Sequence, residues 1–343
     1  MTTDISDDIG DDRRHNVLSG ITPSGRLTLG NHLGALRRFA DSSTARPGEA
    51  TFFVADLHAL TSDHDPVRLV RLTRETVLLF LAAGIDPKAA TVFVQSQVPQ
   101  HVELAYLLEC TAHVGELSRM IQYKEKVGRG GRVDARASLF TYPCLMAADI
   151  LAYDTDAVPV GGDQDQHVEL TRDLALRFNR LYGTTFVVPR LARAALAARV
   201  ADLAKPQAKM SKSATDDAPG VIRLLDPPDV VRRKVMRAVT DSDTSVRYDT
   251  ATKPGVSNLI EILGACTGEP ELAHVAEEFA TYGALKKATA DAVIAVLSPL
   301  QERYAELARD QGYVDGILAD GAERASARAG RTVARARAAI GLR

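Results

Sequence analysis

Two lysines three residues apart lie in a short stretch of small polar residues, KMSKS, which comprises Lys209, Met210, Ser211, Lys212 and Ser213. The stretch shows neither helical periodicity nor strand alternation, so it is predicted to be a mobile loop. Two ammonium groups on such a loop can neutralise the charge that grows on a triphosphate as its leaving group departs. The competing interpretation is a solvated, lysine-rich surface loop, which is the usual fate of such segments.

A second candidate site follows the first apolar run of the chain, NVLSGI (16–21), which predicts a short buried strand. The strand leads into a glycine-containing turn and then a helix, and the N-terminus of a helix directs N–H groups and a positive dipole end toward an anion. The residues of this junction are Gly20, Pro23, Ser24, Gly25, Thr28, Gly30 and Asn31. A simple capped strand-to-helix turn would have a similar sequence, and the dinucleotide pattern G-x-G-x-x-G does not follow the strand.

The elements that position these residues alternate between short apolar runs and helical segments. Strands are predicted at 50–60, 90–96 and 157–160, with helices at 66–83, 142–153 and 165–183 and a basic surface loop at 123–138. This alternation predicts an α/β fold with a doubly wound, Rossmann-like parallel sheet. Beyond Ser213 only helical patterns remain, so the sequence predicts a disordered acidic N-terminus (1–15), an α/β domain (16–213) with a helical insertion (about 101–145) and a C-terminal α-helical domain (214–343).

Composition limits the classes of protein that fit. The 343 residues are 45% hydrophobic and 25% charged with a net charge of −2, so any nucleic-acid surface must be local. Cys110, Cys144 and Cys266 are far apart, which argues against a disulfide framework or zinc site and fits a reducing cytoplasm. No apolar run approaches 18 residues, so no membrane span is expected.

The two candidate sites together resemble a known pair of signatures. PSGRLTLGN (23–31) followed by KMSKS (209–213) resembles the class I aminoacyl-tRNA synthetases, with TLGN where many relatives have HIGH. The segments 115–126, 141–179 and 253–259 resemble those of bacterial tryptophanyl enzymes, and the similarity extends from about residue 17 to the end. The resemblance implies a tryptophan–tRNA ligase that activates L-tryptophan with ATP, giving tryptophanyl-adenylate and pyrophosphate, and then charges tRNA(Trp).

The resemblance also implies roles for individual residues. The implied ATP-binding residues are Thr22, Pro23, Ser24, Gly30, Asn31, Gly161, Gly162, Asp163, Val200, Lys209, Met210, Ser211, Lys212 and Ser213. The implied tryptophan-binding residues are Leu18, Gly20, His58, Met146, Asp149, Val158, Val160 and Gln164. The implied catalytic residues are Lys126, Lys209, Lys212, Thr28 and Asn31. This chain has Thr22 where the family usually has glutamine and Gly162 where it usually has glutamate, and each change removes a side chain that could contact substrate.

Selection of tryptophan rather than tyrosine as the substrate depends on one hydrogen-bond acceptor in the amino-acid pocket. Indole offers a single N–H donor and no acceptor, so a tryptophan pocket needs a fixed acceptor among apolar walls. The resemblance implies Asp149 for this role, and a carboxylate in an apolar helix is costly without a partner. A solvent-facing or capping aspartate is the alternative. A tyrosyl-tRNA synthetase, a smaller nucleotidyltransferase of the same superfamily and a catalytically weak, tryptophan-binding paralogue also stay open.

The expected partners follow from the same resemblance. It implies a homodimer with residues 101–145 at the interface, and a C-terminal helical domain that binds the tRNA anticodon. Arg324, Arg328, Arg331 and Arg335 fall on one helix face, which indicates either a stripe for the tRNA backbone or a solvated helix. Mg²⁺ is expected to arrive with ATP, without a metal site of the protein itself.

Overall fold

The computed structural model describes residues 17–45, 47–130, 136–160, 164–193 and 200–343, with the backbone alone at 126–130, 159–160 and 192–193. All statements about the structure refer to these residues. Within them, no helix combines the length and the apolar character that crossing a membrane would require.

One parallel sheet organises the N-terminal two thirds of the chain. Its strands are β1 (Val17–Ile21), β2 (Ala50–Val54), β3 (Ala90–Val94), β4 (Ala157–Val160) and β5 (Arg190–Arg193). Their order is β3-β2-β1-β4-β5, and each neighbouring pair is parallel. The order reverses between β1 and β4, and in open α/β sheets the crevice beside the carboxyl ends of such strands is the place for a ligand. The predicted α/β fold is confirmed.

Strand composition explains which strands the sequence revealed. Every residue of β2 and β3 is buried, and their runs of β-branched and aromatic residues are typical of strands covered on both faces. Strand β5, RLAR, was not predicted because it has two arginines in four residues and no apolar run. It pairs on one side only, with β4, and an edge strand tolerates charge.

Helices connect and cover the strands. In the N-terminal part they are α1 (Leu29–Asn31), α2 (Arg37–Ala45), α3 (Asp56–Ala59), α4 (Pro66–Ala82), α5 (Gln100–Glu109), α6 (Val114–Leu117), α7 (Ile121–Gly130), α8 (Ala137–Leu151) and α9 (Asp165–Tyr182). The C-terminal part has α10 (Pro228–Met236), α11 (Pro254–Thr267), α12 (Leu272–Glu277), α13 (Tyr282–Arg309) and α14 (Gln311–Ala339). A π-helical turn (His32–Leu36) joins α1 to α2, and a 3₁₀ turn (Gln95–Gln97) follows β3.

Two predictions for these segments need correction. The predicted surface loop at 123–138 is helical up to Gly130, because the helix-forming residues at 121–127 outweigh the two glycines that follow them. The strand predicted at 50–60 ends at Val54, and α3 begins at Asp56. By contrast, α4 begins at Pro66 behind an Asp65 cap, whose carboxylate accepts the Arg68 N–H at 2.9 Å, as the predicted helix at 66–83 requires.

Side chains alternate between two apolar cores, one on each face of the sheet. Phe52 belongs to the first core and stacks on Phe39 with ring centroids 4.6 Å apart. Phe53 points to the second core and stacks on Phe93 at 5.5 Å. Helices α4, α10, α11 and α13 contribute to the first core, whereas α5, α8 and α9 contribute to the second. The C-terminal helices α10–α13 therefore share a core with the sheet.

Helix α14 covers the β3 edge of the sheet. A Cβ atom on Gly321 would overlap the main-chain oxygen of Val92 in β3, so only glycine permits this close approach. Arg324 donates to the carbonyl oxygen of Pro87 at 3.0 Å and, at 3.4 Å, to that of Ala90. Covering an edge strand in this way removes an unpaired edge that would otherwise be open to other chains.

The arginine stripe of α14 thus has a different environment from the one expected. Arg328 lies 5.4 Å from the centroid of the Tyr153 ring and donates to Thr51 Oγ1 at 3.0 Å. Arg335 pairs with Asp154 at 2.5 Å. Arg324 and Arg328 therefore bind the body of the protein, which contradicts the expectation of a simply solvated helix face; the tRNA-binding stripe stays a prediction.

We expect Gly321→Ala to lower the free energy of unfolding by about 1–3 kcal/mol, the usual result of forcing an extra methyl into a packed contact. Gly316→Ala is the matched control, because it lies in the same helix with open space around its Cβ position. This control should gain about 0.5–1 kcal/mol from helix propensity. Urea unfolding followed by circular dichroism measures both, and equal behaviour of the two variants would contradict the close-approach argument.

Candidate active site

A cavity of about 850 Å³ opens at the carboxyl ends of β1 and β4, where the strand order reverses. The sequence-predicted residues that line it are Leu18, Gly20, Thr22, Pro23, Ser24, Asn31, His58, Met146, Asp149, Val158, Gln164, Lys209, Lys212 and Ser213. The fold therefore brings the two signature segments, which are far apart in the chain, to one cavity.

Other predicted residues lie elsewhere. Those that do not line the cavity are Thr28, Gly30, Val200, Met210 and Ser211. Gly161, Gly162 and Asp163 fall outside the described residues, and so do the side chains of Lys126 and Val160. Val200 and Met210 are buried in the first core, and the Met210 N–H donates to the Val200 carbonyl at 3.1 Å. They anchor the start of the KMSKS loop.

The KMSKS loop lies against the first turn. A Cβ atom on Gly25 would overlap the main-chain oxygen of Lys212, so the turn and the loop approach each other as closely as glycine allows. The Lys212 ammonium donates to the Thr22 carbonyl at 2.7 Å, whereas Lys209 is exposed. Burial, with repulsion from Lys209 as a smaller cause, lowers the pKa of Lys212 to about 8. Lys212 therefore remains predominantly charged at neutral pH.

Thr28 orients Asn31 at the start of α1. Asn31 Oδ1 accepts the Thr28 N–H at 3.0 Å and the Thr28 hydroxyl at 3.1 Å. Thr28 is 1% exposed, whereas Asn31 lines the cavity. Because both donors hold the amide oxygen of Asn31, the orientation of this side chain is set before any ligand arrives.

Asp149 also lines the cavity and is 2% exposed. Its Oδ1 accepts from Gln95 Nε2 at 2.7 Å and pairs with His101 Nδ1 at 2.6 Å, while Oδ2 pairs with His58 Nε2 at 2.8 Å. Burial opposes ionisation of the carboxyl group, but the hydrogen bonds from His101 and His58 outweigh it and lower the pKa of Asp149. The expectation that this carboxylate needs partners is thus confirmed, and the alternative of a solvent-facing aspartate is wrong.

These partners are themselves held in place. His101 Nε2 lies 2.7 Å from the Tyr153 hydroxyl, and the Leu57 N–H donates to Gln95 Oε1 at 3.2 Å. His101 and Gln95 are completely buried. The carboxylate of Asp149 is consequently fixed from the end of β3, from α5 and from the turn after β2, and it cannot rotate freely toward solvent.

Sequence reasoning missed several residues of this site. Gln95, His101 and Tyr153 were not singled out, although Tyr153 lies one helical turn after Asp149. Tyr142 and Gln122 also line the cavity, and the Tyr142 hydroxyl donates to Gln122 Oε1 at 2.8 Å. For Gln95 and His101, the signal that could have found them is the cost of a buried carboxylate, which demands donors from other segments.

The described residues include no group of three or more His, Cys, Asp or Glu side chains placed to hold a metal ion. The charged side chains that line the cavity include the carboxylate of Asp149 and the ammonium groups of Lys209 and Lys212, together with Arg38, Asp63, Asp65 and Arg68.

A parallel sheet with a cavity at the reversal of strand order, flanked by a glycine turn and a lysine loop, defines a nucleotide-binding α/β enzyme. The family model described as tRNA synthetases class I (W and Y), that is, specific for tryptophan and tyrosine, matches residues 11–298. The chain belongs to this family.

Individual proteins of the family are similar to this chain over nearly its whole length. Tryptophan–tRNA ligase 1 of Streptomyces coelicolor is 59% identical over 331 residues, which cover 95% of this chain and 97% of the relative. The tryptophanyl-tRNA synthetase structure from Mycoplasma pneumoniae has a TM-score of 0.87 at 36% identity and covers 96% of this chain and 99% of that one. The Campylobacter jejuni synthetase complexed with ADP and tryptophan has a TM-score of 0.80 at 33% identity and covers 95% and 99%. The resemblance to bacterial tryptophanyl enzymes is confirmed.

We expect Asp149→Asn to lower the free energy of unfolding at pH 7 by about 3 kcal/mol, because it removes the charge from a buried, hydrogen-bonded cluster. The wild-type advantage should shrink as the pH falls below about 4. A carboxyl group with a lowered folded-state pKa takes up its proton more readily in the unfolded chain, so its stabilisation is present above the unfolded pKa and lost in acid. Urea unfolding at several pH values measures this difference.

Asp154→Asn is the matched control. Asp154 pairs with Arg335 at the surface, and it has a left-handed backbone (φ 51°) that asparagine tolerates. This variant should lose less than about 1 kcal/mol. A similar loss in both variants, or a pH-independent loss in Asp149→Asn, would contradict the ionised state of Asp149.

Proposed function

We propose that this protein is a tryptophan–tRNA ligase, which activates L-tryptophan with ATP and transfers it to tRNA(Trp). The observation that carries the proposal is a single cavity with a buried, ionised Asp149 at one end and the Lys209 and Lys212 loop against the first turn at the other. The identity of 59% with a tryptophan–tRNA ligase supports the same activity.

Asp149 is well suited to accept the indole N–H. A carboxylate offers about four lone-pair directions, and Gln95, His101 and His58 occupy three of them. One direction is left for a ligand, and the buried position makes an unmatched ligand costly there. The apolar side chains of Leu18, Met146 and Val158 line the same cavity and form the walls for the ring.

The opposite end of the cavity is suited to the triphosphate. The tryptophan carboxylate attacks the α-phosphorus of ATP, the bond to the β-phosphate oxygen breaks, and pyrophosphate leaves with the electron pair. Lys212 and Lys209 neutralise the negative charge that grows on this leaving group. In the second step a ribose hydroxyl of the tRNA terminal adenosine takes the acyl group from the adenylate and AMP leaves. Positioning and charge stabilisation provide the catalysis, without a protein nucleophile.

The remaining assignments are proposals of the same kind. Thr22, Pro23, Ser24 and the oriented amide of Asn31 contact ATP at the first turn, with Thr28 and Gly30 shaping that turn. Gln164 and His58 lie beside the tryptophan. The further assignments come from the resemblance alone: Gly161, Gly162 and Asp163 on the ribose and adenine side, Val200 at the adenine, Val160 as a pocket wall and Lys126 as a third ammonium. Mg²⁺ enters bound to ATP, as a substrate complex.

The site of action follows from the substrates. ATP and tRNA are available in the cytoplasm, and the three cysteines, Cys110, Cys144 and Cys266, are free thiols. We place the reaction in that reducing compartment.

A homodimer is the proposed assembly. Four large apolar side chains in the predicted interface segment 101–145 are well exposed, namely Val102, Tyr106, Val114 and Ile121. Exposed apolar side chains clustered in one segment are typical of an interface. The proposal includes tRNA binding by the C-terminal helical part, in which Arg324 and Arg328 of α14 also donate to the sheet.

We expect Tyr106→Asp to convert the dimer into a monomer, because a charge would be buried at the interface without a partner. Sedimentation velocity at micromolar concentration measures the mass directly. Tyr313→Asp is the control, since Tyr313 is an exposed tyrosine on α14, outside the predicted segment. A monomeric wild type, or a Tyr106→Asp variant that remains dimeric, would contradict the proposed interface.

Amino-acid-dependent exchange of pyrophosphate into ATP tests the function. Among the twenty amino acids, tryptophan alone should support exchange. Phenylalanine, which has no ring donor for Asp149, should be at least about 10⁴-fold less efficient in kcat/KM, the discrimination that a site built around a specific hydrogen bond provides. Exchange that depends on tyrosine would favour the tyrosyl alternative, and no exchange with any amino acid would favour a binding protein.

The proposed role of Lys212 is tested by comparing two lysine variants, one in the cavity and one outside it. Lys212→Ala should lower exchange by about 100-fold, as expected for loss of one charge-stabilising group. Lys205→Ala changes an exposed lysine just before the loop, outside the cavity lining, and should leave exchange unchanged.

A further inference from the structure

Arg223 is a buried arginine that contacts both signature segments. The whole residue is 1% exposed. Its guanidinium donates hydrogen bonds to four main-chain carbonyl groups. The Nη1 atom donates to Arg26 O at 2.9 Å and to Lys212 O at 3.1 Å, and Nη2 donates to Ala214 O at 2.7 Å and to Thr215 O at 3.2 Å. One of these carbonyl groups belongs to the first turn and three belong to the KMSKS loop and its continuation.

The backbone around Arg223 is fixed independently of its side chain. The segment pairs with Leu27–Leu29 through the Leu29 N–H to Ile222 O at 3.0 Å and the Leu224 N–H to Leu27 O at 3.0 Å. The Arg223 N–H donates to Asp226 Oδ2 at 2.9 Å. The guanidinium therefore projects from a rigid base into the space between the two signatures.

The contact with Lys212 O has a direct consequence for the cavity. The same carbonyl oxygen lies where a Cβ atom on Gly25 would be, and the Lys212 ammonium reaches back to Thr22 O. Arg223 thus holds the main chain of Lys212 against the turn from which the ammonium faces the cavity. Lys209, in contrast, is exposed, and its end of the loop is anchored by the bond between Met210 N and Val200 O.

We propose that Arg223 is a positioning residue for adenylate formation, which holds Lys212 beside the first turn so that its ammonium meets the departing pyrophosphate. The inference rests on the proposed function and adds a residue outside the two signature motifs. Arginine suits the role because its planar fork can bind several carbonyl oxygens at once, whereas a lysine ammonium binds from a single point.

Single-turnover formation of tryptophanyl-adenylate separates positioning from folding. The amplitude of product formation counts the competent sites, and the rate constant reports the chemistry in each of them. Arg223→Lys should lower the rate constant about tenfold or more at saturating ATP and tryptophan, with the amplitude and the KM for tryptophan within about twofold of wild type. A residue that only supports folding would lower the amplitude and leave the rate constant unchanged, which would overturn the proposal.

A double-mutant cycle tests whether Arg223 acts through Lys212. In a Lys212→Ala background, adding Arg223→Lys should change the rate constant by less than about twofold, because the group that Arg223 positions is gone. A full additional loss in that background would show that Arg223 acts elsewhere and would overturn the proposal. If Arg223→Lys itself fails to fold, Arg223→Gln provides the same comparison with a neutral side chain.

Arg37→Lys is the matched control. Arg37 is a half-buried arginine that also donates to a main-chain carbonyl, that of Ala265 at 2.6 Å, and it does not line the cavity. It should leave both the amplitude and the rate constant unchanged. If the wild-type protein forms no tryptophanyl-adenylate, the proposed function itself is refuted. If the wild type is active and the Arg223 variant has the same rate constant, only the positioning role of Arg223 is refuted.

Discussion

The contact between the main chain at Lys212 and the turn at Gly25 decides whether the two signature segments form one site. The segments are nearly 190 residues apart, and any side chain at Gly25 would separate them. Close approach of two stretches of backbone leaves carbonyl groups to be satisfied, and an unsatisfied buried carbonyl is costly. The buried guanidinium of Arg223 satisfies four of them, so the glycine and the arginine belong to one arrangement.

The buried carboxylate of Asp149, which also lines the cavity, likewise depends on hydrogen bonds from distant segments. Asp149 lies in the apolar helix α8, where an isolated carboxylate would lose its hydration without gaining hydrogen bonds in exchange. Gln95 from the end of β3, His101 from α5 and His58 from α3 supply the missing hydrogen bonds. Three elements that meet only in the folded protein are therefore needed to keep one acceptor ionised and oriented, and the proposed selectivity for the indole ring depends on their packing.

The sequence could predict those parts of the fold and site that depend on local pattern. Helix α4 has a proline start, a cap and an apolar face, and β3 has an uninterrupted apolar run, so both were found close to their observed bounds; β2 was found with its start correct and its end too late. Strand β5 was missed because its place in the sheet arises from pairing with β4, and its two arginines leave no apolar local signal. The partners of Asp149 and the role of Arg223 were missed for the same reason, since each depends on contacts between segments far apart in the chain. The arginines of α14 show the converse, because a clear local stripe gave no information about the surface that it faces.

Asp149 and Lys212 both line the cavity and carry charges of opposite sign, and they do not pair with each other. The partners of Asp149 are Gln95, His101 and His58, and the ammonium of Lys212 donates to a neutral carbonyl oxygen. A cavity with low-dielectric walls strengthens the field between such groups. A ligand with a hydrogen-bond donor at one end and phosphates at the other complements this field in a single orientation. In the proposed function, the separation of Asp149 from Lys212 both selects the ligand and places its reacting ends.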